Sequence, residues 1–313
     1  MSKFLSCDWG GSNFRLRLVE SGTGEIYSET QSDMGIAETW QQWLSCARPE
    51  SERIQFYTSK LTEAISLLPV AIKNEMPVIL SGMASSSMGL AELPYQQFPF
   101  YWDPKQLIVQ KMNGGQSFKH PLYLVSGFKT EDDVMRGEET LLLGFDITDD
   151  GEQVFIFPGT HSKHVYVKQK TGIDFKTYLT GELFHLLAEK SILRAAVTAG
   201  QDEKAFADGF YESGNGNLLH NFFKIRTRQL LQHADPVSNY QWLSGLLIGT
   251  ELKDLANSNC PVYLVCGEHL KKPYMQGLRL LNKNRKIIYL RDDVLLVKGH
   301  CRIAGHYFRK TAI

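Results

Sequence analysis

The first 31 residues alternate between hydrophobic and polar positions in a way that predicts three short strands. Phe4–Trp9 is a nearly continuous apolar run, Phe14–Glu20 alternates with period two, and Glu25–Gln31 follows after a second turn. The residues between the runs, Gly10–Asn13 and Ser21–Gly24, have the composition of tight turns. We therefore expect the chain to begin with an antiparallel meander.

The rest of the first half changes pattern several times. Residues 37–68 are weakly amphipathic with a helical period, which predicts two helices. Short apolar runs at Pro77–Ser81 and Leu122–Val125 predict strands. Residues 94–115 hold three prolines and a Gly-Gly pair, which favours an insertion or lid over a regular element.

The second half repeats the opening pattern about 150 residues later. Val154–Phe157, His164–Gln169 and Ile173–Leu179 predict strands, and the turn at Pro158–His161 again contains glycine and a hydroxyl residue. The remaining elements that the pattern predicts are helices at Glu182–Lys190, Leu218–Gln232, Ser238–Ala256, Lys272–Asn282 and the C-terminus, with strands at Pro261–Val265 and Lys286–Leu290.

Strand clusters followed by strand–helix units indicate an α/β protein with two similar domains face to face. We place the boundary after residue 128, so that the predicted domains are 1–128 and 129–313.

Composition narrows the class of protein. The 313 residues carry 34 basic and 34 acidic side chains, so nothing suggests a nucleic-acid partner. The five cysteines are odd in number, which favours free thiols in a reducing compartment. No apolar run approaches the roughly 18 residues of a membrane span. We expect a cytoplasmic protein with no membrane partner.

The first turn is the richest in chemistry. It comprises Gly10, Gly11, Ser12 and Asn13, preceded by Asp8 and followed by Arg15. Glycines let the backbone approach an anion and direct N–H groups at it, and an aspartate at a strand end can hold Mg²⁺. An ordinary hairpin turn is the alternative interpretation, and the strand-end Asp8 favours the functional one.

The second turn has the same character: Gly159, Thr160, His161, Ser162 and Lys163 combine glycine, hydroxyls and a cation between two strands. Two such turns from opposed domains can grip a triphosphate and bring donor and acceptor together.

Between the two hairpins, Gly137 precedes a short apolar helix that begins with Glu138 and Glu139. A carboxylate at a helix start is commonly a stabilising feature. The functional alternative makes Glu138 a general base that accepts the proton of an acceptor hydroxyl during phosphoryl transfer.

Three other signatures are missing from the sequence. It contains no G-x-x-x-x-G-K-[ST], no G-x-G-x-x-G after a strand and no G-x-S-x-G elbow. A P-loop NTPase, a Rossmann dehydrogenase and an α/β-hydrolase are therefore disfavoured.

Together these motifs resemble the 2-dehydro-3-deoxygalactonokinase family of the sugar-kinase/Hsp70/actin superfamily. The residues that carry the resemblance are Asp8-Trp9-Gly10 with Asn13 and Arg15, Ser81-Gly82-Met83, Pro94-Tyr95, Val134–Thr140, Pro158–Lys163, Thr180–Leu183 and Ser244–Gly249. The resemblance implies two ribonuclease-H-like domains with a cleft between them. It also implies ATP-dependent phosphorylation of 2-dehydro-3-deoxy-D-galactonate at its 6-hydroxyl, with Mg²⁺.

The resemblance also assigns roles. Asp8 becomes the metal-side carboxylate, the two turns become phosphate loops, and Glu138 becomes the base, with Glu139 as the rival candidate. Three glycines are expected to make room for adenosine: Gly245, Gly249 and Gly267.

The acceptor that the resemblance implies is a sugar acid, so its site needs a cation. Arg136 is the first candidate because its planar fork can bind a carboxylate bidentately. Met83, Ser85 and Ser87 are expected to line the acceptor side, with Glu139 nearby. The sequence leaves open whether the protein forms a homodimer.

Several functional alternatives also stay open. The acceptor can be another 2-keto-3-deoxy sugar acid, and departures such as Cys266–His269 and Arg291–Asp293 leave the nucleotide preference open. A nucleotide-dependent ATPase switch and a non-catalytic sugar-acid sensor on the same fold also stay open, although the retained Asp8, Glu138 and both loops argue against a sensor.

Overall fold

A computed structural model describes residues 3–308. They divide into two compact units. The first comprises residues 3–149, 170–172 and 292–308, and the second comprises residues 150–169 and 173–291.

The helices and strands have the following bounds. The strands are β1 (Lys3–Trp9), β2 (Phe14–Glu20), β3 (Ile26–Ser32), β4 (Val78–Gly82), β5 (Gln96–Gln97), β6 (Phe100–Tyr101), β7 (Val109–Asn113), β8 (Pro121–Val125), β9 (Phe128–Lys129), β10 (Val134–Met135), β11 (Gln153–Phe157), β12 (Ser162–Lys168), β13 (Thr171–Tyr178), β14 (Val262–Val265) and β15 (Ile287–Leu290). The α-helices are α1 (Ile36–Ser45), α2 (Arg53–Ser66), α3 (Glu138–Gly144), α4 (Thr180–His185), α5 (Glu203–Glu212), α6 (Leu218–Gln232), α7 (Pro236–Leu252), α8 (Glu268–Leu281) and α9 (Asp292–Tyr307).

The main sheet of the first unit has the strand order β3-β2-β1-β4-β8-β7. The predicted meander β1-β2-β3 is antiparallel, whereas β4 and β8 continue the sheet parallel to β1. Leu5, Cys7 and Trp9 alternate along β1 and pack in a core with α1 and α2 residues such as Trp43 and Tyr57. Because strand side chains alternate, Ser6 and Asp8 point to the opposite face.

The second unit repeats this arrangement with the order β15-β14-β11-β12-β13. β11 and β12 are antiparallel, and β14 and β15 run parallel to β11. Ile156 and Leu264 pack there against Phe206, Phe210 and Leu252 of α5 and α7. Each unit therefore contains the 3-2-1-4-5 order of a ribonuclease-H-like domain, which confirms the predicted α/β class and the internal repeat.

Residues 129–149 and 292–308 belong to the first unit, whereas the sequence predicted a boundary after residue 128. Helix α9 crosses α3 at very short range: a methyl group on Gly144 would lie 1.9 Å from the carbonyl oxygen of Leu295. One on Gly299 would lie 2.1 Å from that of Thr140. This packing holds α3 and α9 in the unit formed by residues 3–149.

Several elements differ from the sequence prediction, and three of them bear on the fold. Residues 94–115, expected to form a lid, include β7, which pairs with β8 in the main sheet. Helix α5 was not predicted, and α8 begins at Glu268 instead of Lys272. Within residues 3–308, no helix is both long and apolar enough to cross a membrane.

Candidate active site

The turn between β1 and β2 is closed by a backbone hydrogen bond, and one side of its backbone is free of neighbouring atoms. The amide of Gly10 donates to the carbonyl of Asn13 at 2.9 Å, which closes the turn. Nothing lies within 4 Å of the position of a Cβ on Gly11, and the side chains of Ser12 and Asn13 are exposed. The predicted first phosphate loop is therefore accessible to a ligand.

The start of α1 supports this loop from behind. The amides of Ile36 and Ala37 donate to the carbonyls of Gly10 and Gly11 at 2.9 and 3.0 Å. A Cβ on Gly35 would lie 2.3 Å from the carbonyl oxygen of Gly11, so only glycine fits there. The first-loop carbonyls are thus bound to the helix.

Asp8 lies at the end of β1, beside the loop and opposite Arg15 in the β1–β2 pair. Burial raises the pKa of its carboxyl group to about 6, although Arg15 and Arg17 lower it in part. Asp292 and Glu138 act in the same direction as burial. Asp8 is therefore a half-buried carboxylate with other acidic groups close by.

Two glycines bring Asp8 and the start of α3 together. Gly82 has a positive φ of 81°, and a Cβ there would lie 3.4 Å from Oδ1 of Asp8. A Cβ on Gly137, whose φ is 113°, would in turn lie 3.4 Å from the Cα of Gly82. Because Glu138 follows Gly137, the two predicted catalytic carboxylates belong to one region of the first unit.

The two glutamates at the start of α3 have different surroundings. Glu139 is 0% exposed, and both its carboxyl oxygens accept from the amide of Gly137, at 2.7 and 3.0 Å. Burial, followed by the charge of Glu138, raises the pKa of Glu139 to about 8. Glu138 is partly exposed and accepts from the amide of Arg136 at 3.1 Å. Of the two, only Glu138 is accessible to an acceptor.

Arg136, predicted to bind the sugar-acid carboxylate, already has protein partners for part of its guanidinium group. Its Nη1 donates to the carbonyl oxygen of Ser85 at 2.7 Å and also to Ser85 Oγ, and its guanidinium lies over the ring of Tyr95. Nη1 is therefore engaged with Ser85, whereas Nε has no hydrogen-bond partner among the described residues. Its Nη2 has one long contact, 3.4 Å from the carbonyl of Leu93.

The predicted acceptor-side residues separate into buried and accessible ones. Ser85 is 0% exposed and donates to the carbonyl of Val125 at 2.6 Å, so it is part of the core and does not line an open acceptor site. Met83 is half-buried, and Ser87 is exposed.

The second loop has the same architecture as the first. Gly159 has nothing within 4 Å of its Cβ position. A Cβ on Gly181 would lie 2.3 Å from the carbonyl oxygen of Gly159, and the amide of Glu182 donates to the carbonyl of Thr160 at 2.9 Å. The start of α4 thus supports the second loop as the start of α1 supports the first.

The side chains of the second loop differ in their availability. Thr160 and His161 are exposed, and His161 pairs with Glu182 at 2.5 Å. Ser162 is 0% exposed and donates to Glu251, which corrects its predicted role as a hydroxyl ligand of phosphate. Lys163 is 6% exposed and donates back to the carbonyl of His161 at 3.0 Å, so its ammonium group stabilises the loop itself.

A cavity of about 390 Å³ adjoins this loop in the second unit. Its lining includes Gly159, Thr180, Tyr240, Ser244, His269 and Tyr274. Its volume is typical of small-molecule sites.

The three predicted adenosine glycines lie beside the cavity lining. A Cβ on Gly245 would lie 2.0 Å from the carbonyl oxygen of Phe206, and one on Gly249 would lie 2.6 Å from Ser213 Oγ. Both glycines therefore allow α7 to cross α5 closely, a correction of the role we expected. Gly267 is the N-cap of α8, two residues before the cavity residue His269.

Comparison with known proteins identifies the family. The model of the 2-keto-3-deoxy-galactonokinase family matches residues 8–302. The chain belongs to this family. The 2-keto-3-deoxy-galactonokinases are carbohydrate kinases, and the match includes both loops and Glu138.

Individual relatives agree with the family assignment. The 2-dehydro-3-deoxygalactonokinase of Escherichia coli (strain K12) is 26% identical over 289 residues, which cover 90% of each chain. A probable 2-dehydro-3-deoxygalactonokinase of Rhizobium meliloti (strain 1021) is 28% identical over 274 residues, covering 84% of this chain and 83% of the relative.

Solved structures agree with the fold. A crystal structure of a Sinorhizobium meliloti protein named after the same enzyme is 25% identical, covers 97% of both chains and has a TM-score of 0.79. Component A of the (R)-2-hydroxyglutaryl-CoA dehydratase of Acidaminococcus fermentans is 14% identical with a TM-score of 0.52 and full coverage of both chains, a likeness in fold alone.

Proposed function

We propose that this member of the family transfers the γ-phosphoryl group of ATP to the 6-hydroxyl of 2-dehydro-3-deoxy-D-galactonate. The products are ADP and the 6-phosphate. The observation that carries the proposal is the proximity of Asp8 and the start of α3, through Gly82 and Gly137, in a chain of the galactonokinase family.

Glu138 is the general base in this proposal. It lies at the first position of α3 and is partly exposed, whereas Glu139 is buried against the amide of Gly137. As phosphoryl transfer proceeds, Glu138 orients the 6-hydroxyl and accepts its proton. Glu139 accepts hydrogen bonds from the Gly137 amide and so holds Gly137 in its positive-φ conformation. This conformation sets the position of Glu138 at the start of α3.

Each unit has one loop whose backbone is open to a phosphate-bearing ligand. The open backbone at Gly11 and Gly159 offers N–H groups to phosphate oxygens. The cavity beside Gly159 takes the adenosine.

Asp8 fits a magnesium ion. Mg²⁺ is commonly held by one or two carboxylates together with substrate phosphates and water, and Asp8 is a carboxylate at a strand end beside the first loop. When bound, Mg²⁺ neutralises charge on the transferring phosphoryl group. Within residues 3–308, no group of three or more acidic, histidine or cysteine side chains forms a metal cage.

Arg136 contributes to the acceptor side in two ways. It fixes the Met83–Ser85 turn through the Ser85 carbonyl. Its Nη2, with one long contact to Leu93, is the donor that we assign to the sugar-acid carboxylate. Met83 and Ser87 complete the proposed acceptor contacts.

An ADP-release assay with a panel of sugar acids tests this function. We expect turnover that requires ATP, Mg²⁺ and 2-dehydro-3-deoxy-D-galactonate. Faster turnover with another 2-keto-3-deoxy acid would change the substrate, acceptor-independent hydrolysis would indicate an ATPase switch, and binding without turnover would indicate a sensor. The cytoplasmic location, the lack of a nucleic-acid partner and the homodimer stay predictions.

A further inference from the structure

Glu251 of α7 is a fully buried carboxylate that four side chains bind at once. Its Oε1 accepts from Ser162 Oγ at 2.7 Å and contacts His164 Nε2 at 2.9 Å. Its Oε2 accepts from Thr180 Oγ1 at 2.5 Å and from the Tyr274 hydroxyl at 2.7 Å. The side chains of Glu251 and His164 are both 0% exposed.

Hydrogen-bond partners of Glu251 keep this buried group charged. Burial by itself raises the pKa of Glu251, but the hydrogen bond and the charge of His164, with the bonds from Thr180 and Ser162, outweigh it and hold the pKa below its usual value. A buried carboxylate without such donors is costly. Each hydrogen bond to an ionised group is also stronger than one between neutral groups.

Two of the four donors lead directly to the second loop. Ser162 belongs to that loop and is the first residue of β12. Thr180 is the first residue of α4, and it is followed by Gly181, whose Cα packs against Gly159. Glu251 therefore holds the second loop directly through Ser162. It also holds the loop indirectly through Thr180, because the start of α4 packs against Gly159.

The other two donors connect the same carboxylate to the surroundings of the loop. Tyr274 of α8 lines the cavity that adjoins Gly159, as does Thr180. His164 lies on β12 two residues after Ser162, and its ring contacts that of Tyr178 with centroids 4.6 Å apart. One carboxylate thus joins the loop, the start of α4 and the α8 wall of the cavity.

We propose that Glu251 is the positioning residue for nucleotide binding, because it holds the second phosphate loop and the Tyr274 wall in one fixed arrangement. The inference rests on the proposed function, since it requires this loop and cavity to hold ATP. Glu251 itself is buried and acts through its four partners. Loss of its charge frees the loop, so the affinity for nucleotide falls while the affinity for the sugar acid is kept.

The test compares Glu251→Gln with Glu152→Gln. Glu152 is exposed and pairs with the exposed Lys168 at 2.8 Å, and neither residue lines the cavity. For each protein we would measure the Kd of ADP with Mg²⁺ by calorimetry, and the KM for ATP and for the sugar acid. We expect Glu251→Gln to raise the Kd of ADP and the KM for ATP at least tenfold, with the sugar-acid KM within twofold. Glu152→Gln should match the wild type.

Ser162→Ala is the second variant, in case Glu251→Gln does not fold. Its hydroxyl is buried and directed at Glu251, so the change removes a donor and leaves the loop backbone intact. We expect a weaker ADP affinity, about threefold to tenfold, and a double variant with Glu251→Gln that is no weaker than Glu251→Gln alone.

Three results would overturn the inference. One is wild-type ADP affinity in folded Glu251→Gln or Ser162→Ala. The second is an equal rise in the KM for ATP and for the sugar acid, which indicates a general structural role. The third is no ADP binding by the wild-type chain, which would overturn the proposed function as well; the first two leave it intact.

Discussion

Gly35 lies directly against Gly11: a methyl group on Gly35 would lie 2.3 Å from the Gly11 carbonyl oxygen. The backbone of Gly35, with φ of −66°, suits any residue, so the requirement for glycine comes from this contact alone. Gly181 and Gly159 repeat the relationship at the same 2.3 Å in the second unit. In both places a helix start and a loop are in backbone contact.

Alanine at either position should displace its loop. We expect Gly35→Ala and Gly181→Ala each to cost about 1–3 kcal/mol of stability, because a methyl group is forced into a filled space. Each should also raise the KM for ATP. Gly22→Ala is the matched control, since nothing lies within 4 Å of its Cβ position. Urea unfolding and steady-state kinetics provide the two measurements, and an unchanged KM in both variants would argue against the loop roles.

Glu139 should make the protein less stable as the pH rises. Its carboxyl has a folded-state pKa of about 8, above its ordinary value of 4.5, so the folded state keeps a proton that the unfolded state releases. The stability from this group is complete below about pH 4.5 and is lost as the pH rises through 8.

The Glu139→Gln variant isolates this effect, because its amide is neutral at every pH and keeps an acceptor for Gly137. Urea unfolding between pH 5.5 and 8.5 should show a smaller loss of stability in the variant than in the wild type. Parallel curves for the two proteins would contradict the assignment of the raised pKa to Glu139.

Asp8 should set an acidic limit on activity. Its pKa is raised to about 6, so below that pH the free enzyme carries a neutral carboxyl that binds Mg²⁺ poorly. We expect kcat/KM for Mg-ATP to fall about tenfold per pH unit below roughly pH 6. Asp8→Asn should be nearly inactive at all pH values, whereas Asn at the exposed Asp33 should keep the wild-type profile. A profile flat down to pH 5 would refute this role of Asp8.

Arg136 should matter more for structure than a surface arginine does. Lysine in its place keeps the positive charge but cannot reproduce the paired contacts with Ser85 or the stacking on Tyr95. We expect Arg136→Lys to raise the sugar-acid KM about tenfold or more and to lower stability, with the KM for ATP changed less. An unchanged sugar-acid KM would remove Arg136 from the acceptor site.

The sequence was sufficient for the features that depend on local pattern. The alternation in Phe14–Glu20 and the apolar run at Val154–Phe157 specify strands, and the repeat of strand, glycine turn and strand specified two related units. The loops at Gly10 and Gly159 were found for the same reason, since glycine next to hydroxyl residues is a local signal.

What the sequence did not reveal depends on contacts between distant residues. Gly35 supports a loop 24 positions earlier and Gly181 one 22 positions earlier, and the local sequence of neither reveals this contact. Gly245 and Gly249 have a spacing that suits both a ligand and a helix crossing, and only the position of α5 decides between them. Glu251 gives no signal at all, because its four partners come from three separate segments, β12, α4 and α8.

The most direct test of the account is ADP release by the wild type, Glu138→Gln and Glu139→Gln, each with and without 2-dehydro-3-deoxy-D-galactonate. The account predicts acceptor-dependent turnover in the wild type, a loss of about 10²–10⁴-fold in kcat for Glu138→Gln with sugar-acid binding kept, and a much smaller loss for Glu139→Gln. Near-native turnover by Glu138→Gln, or wild-type turnover that does not need the sugar acid, would contradict it.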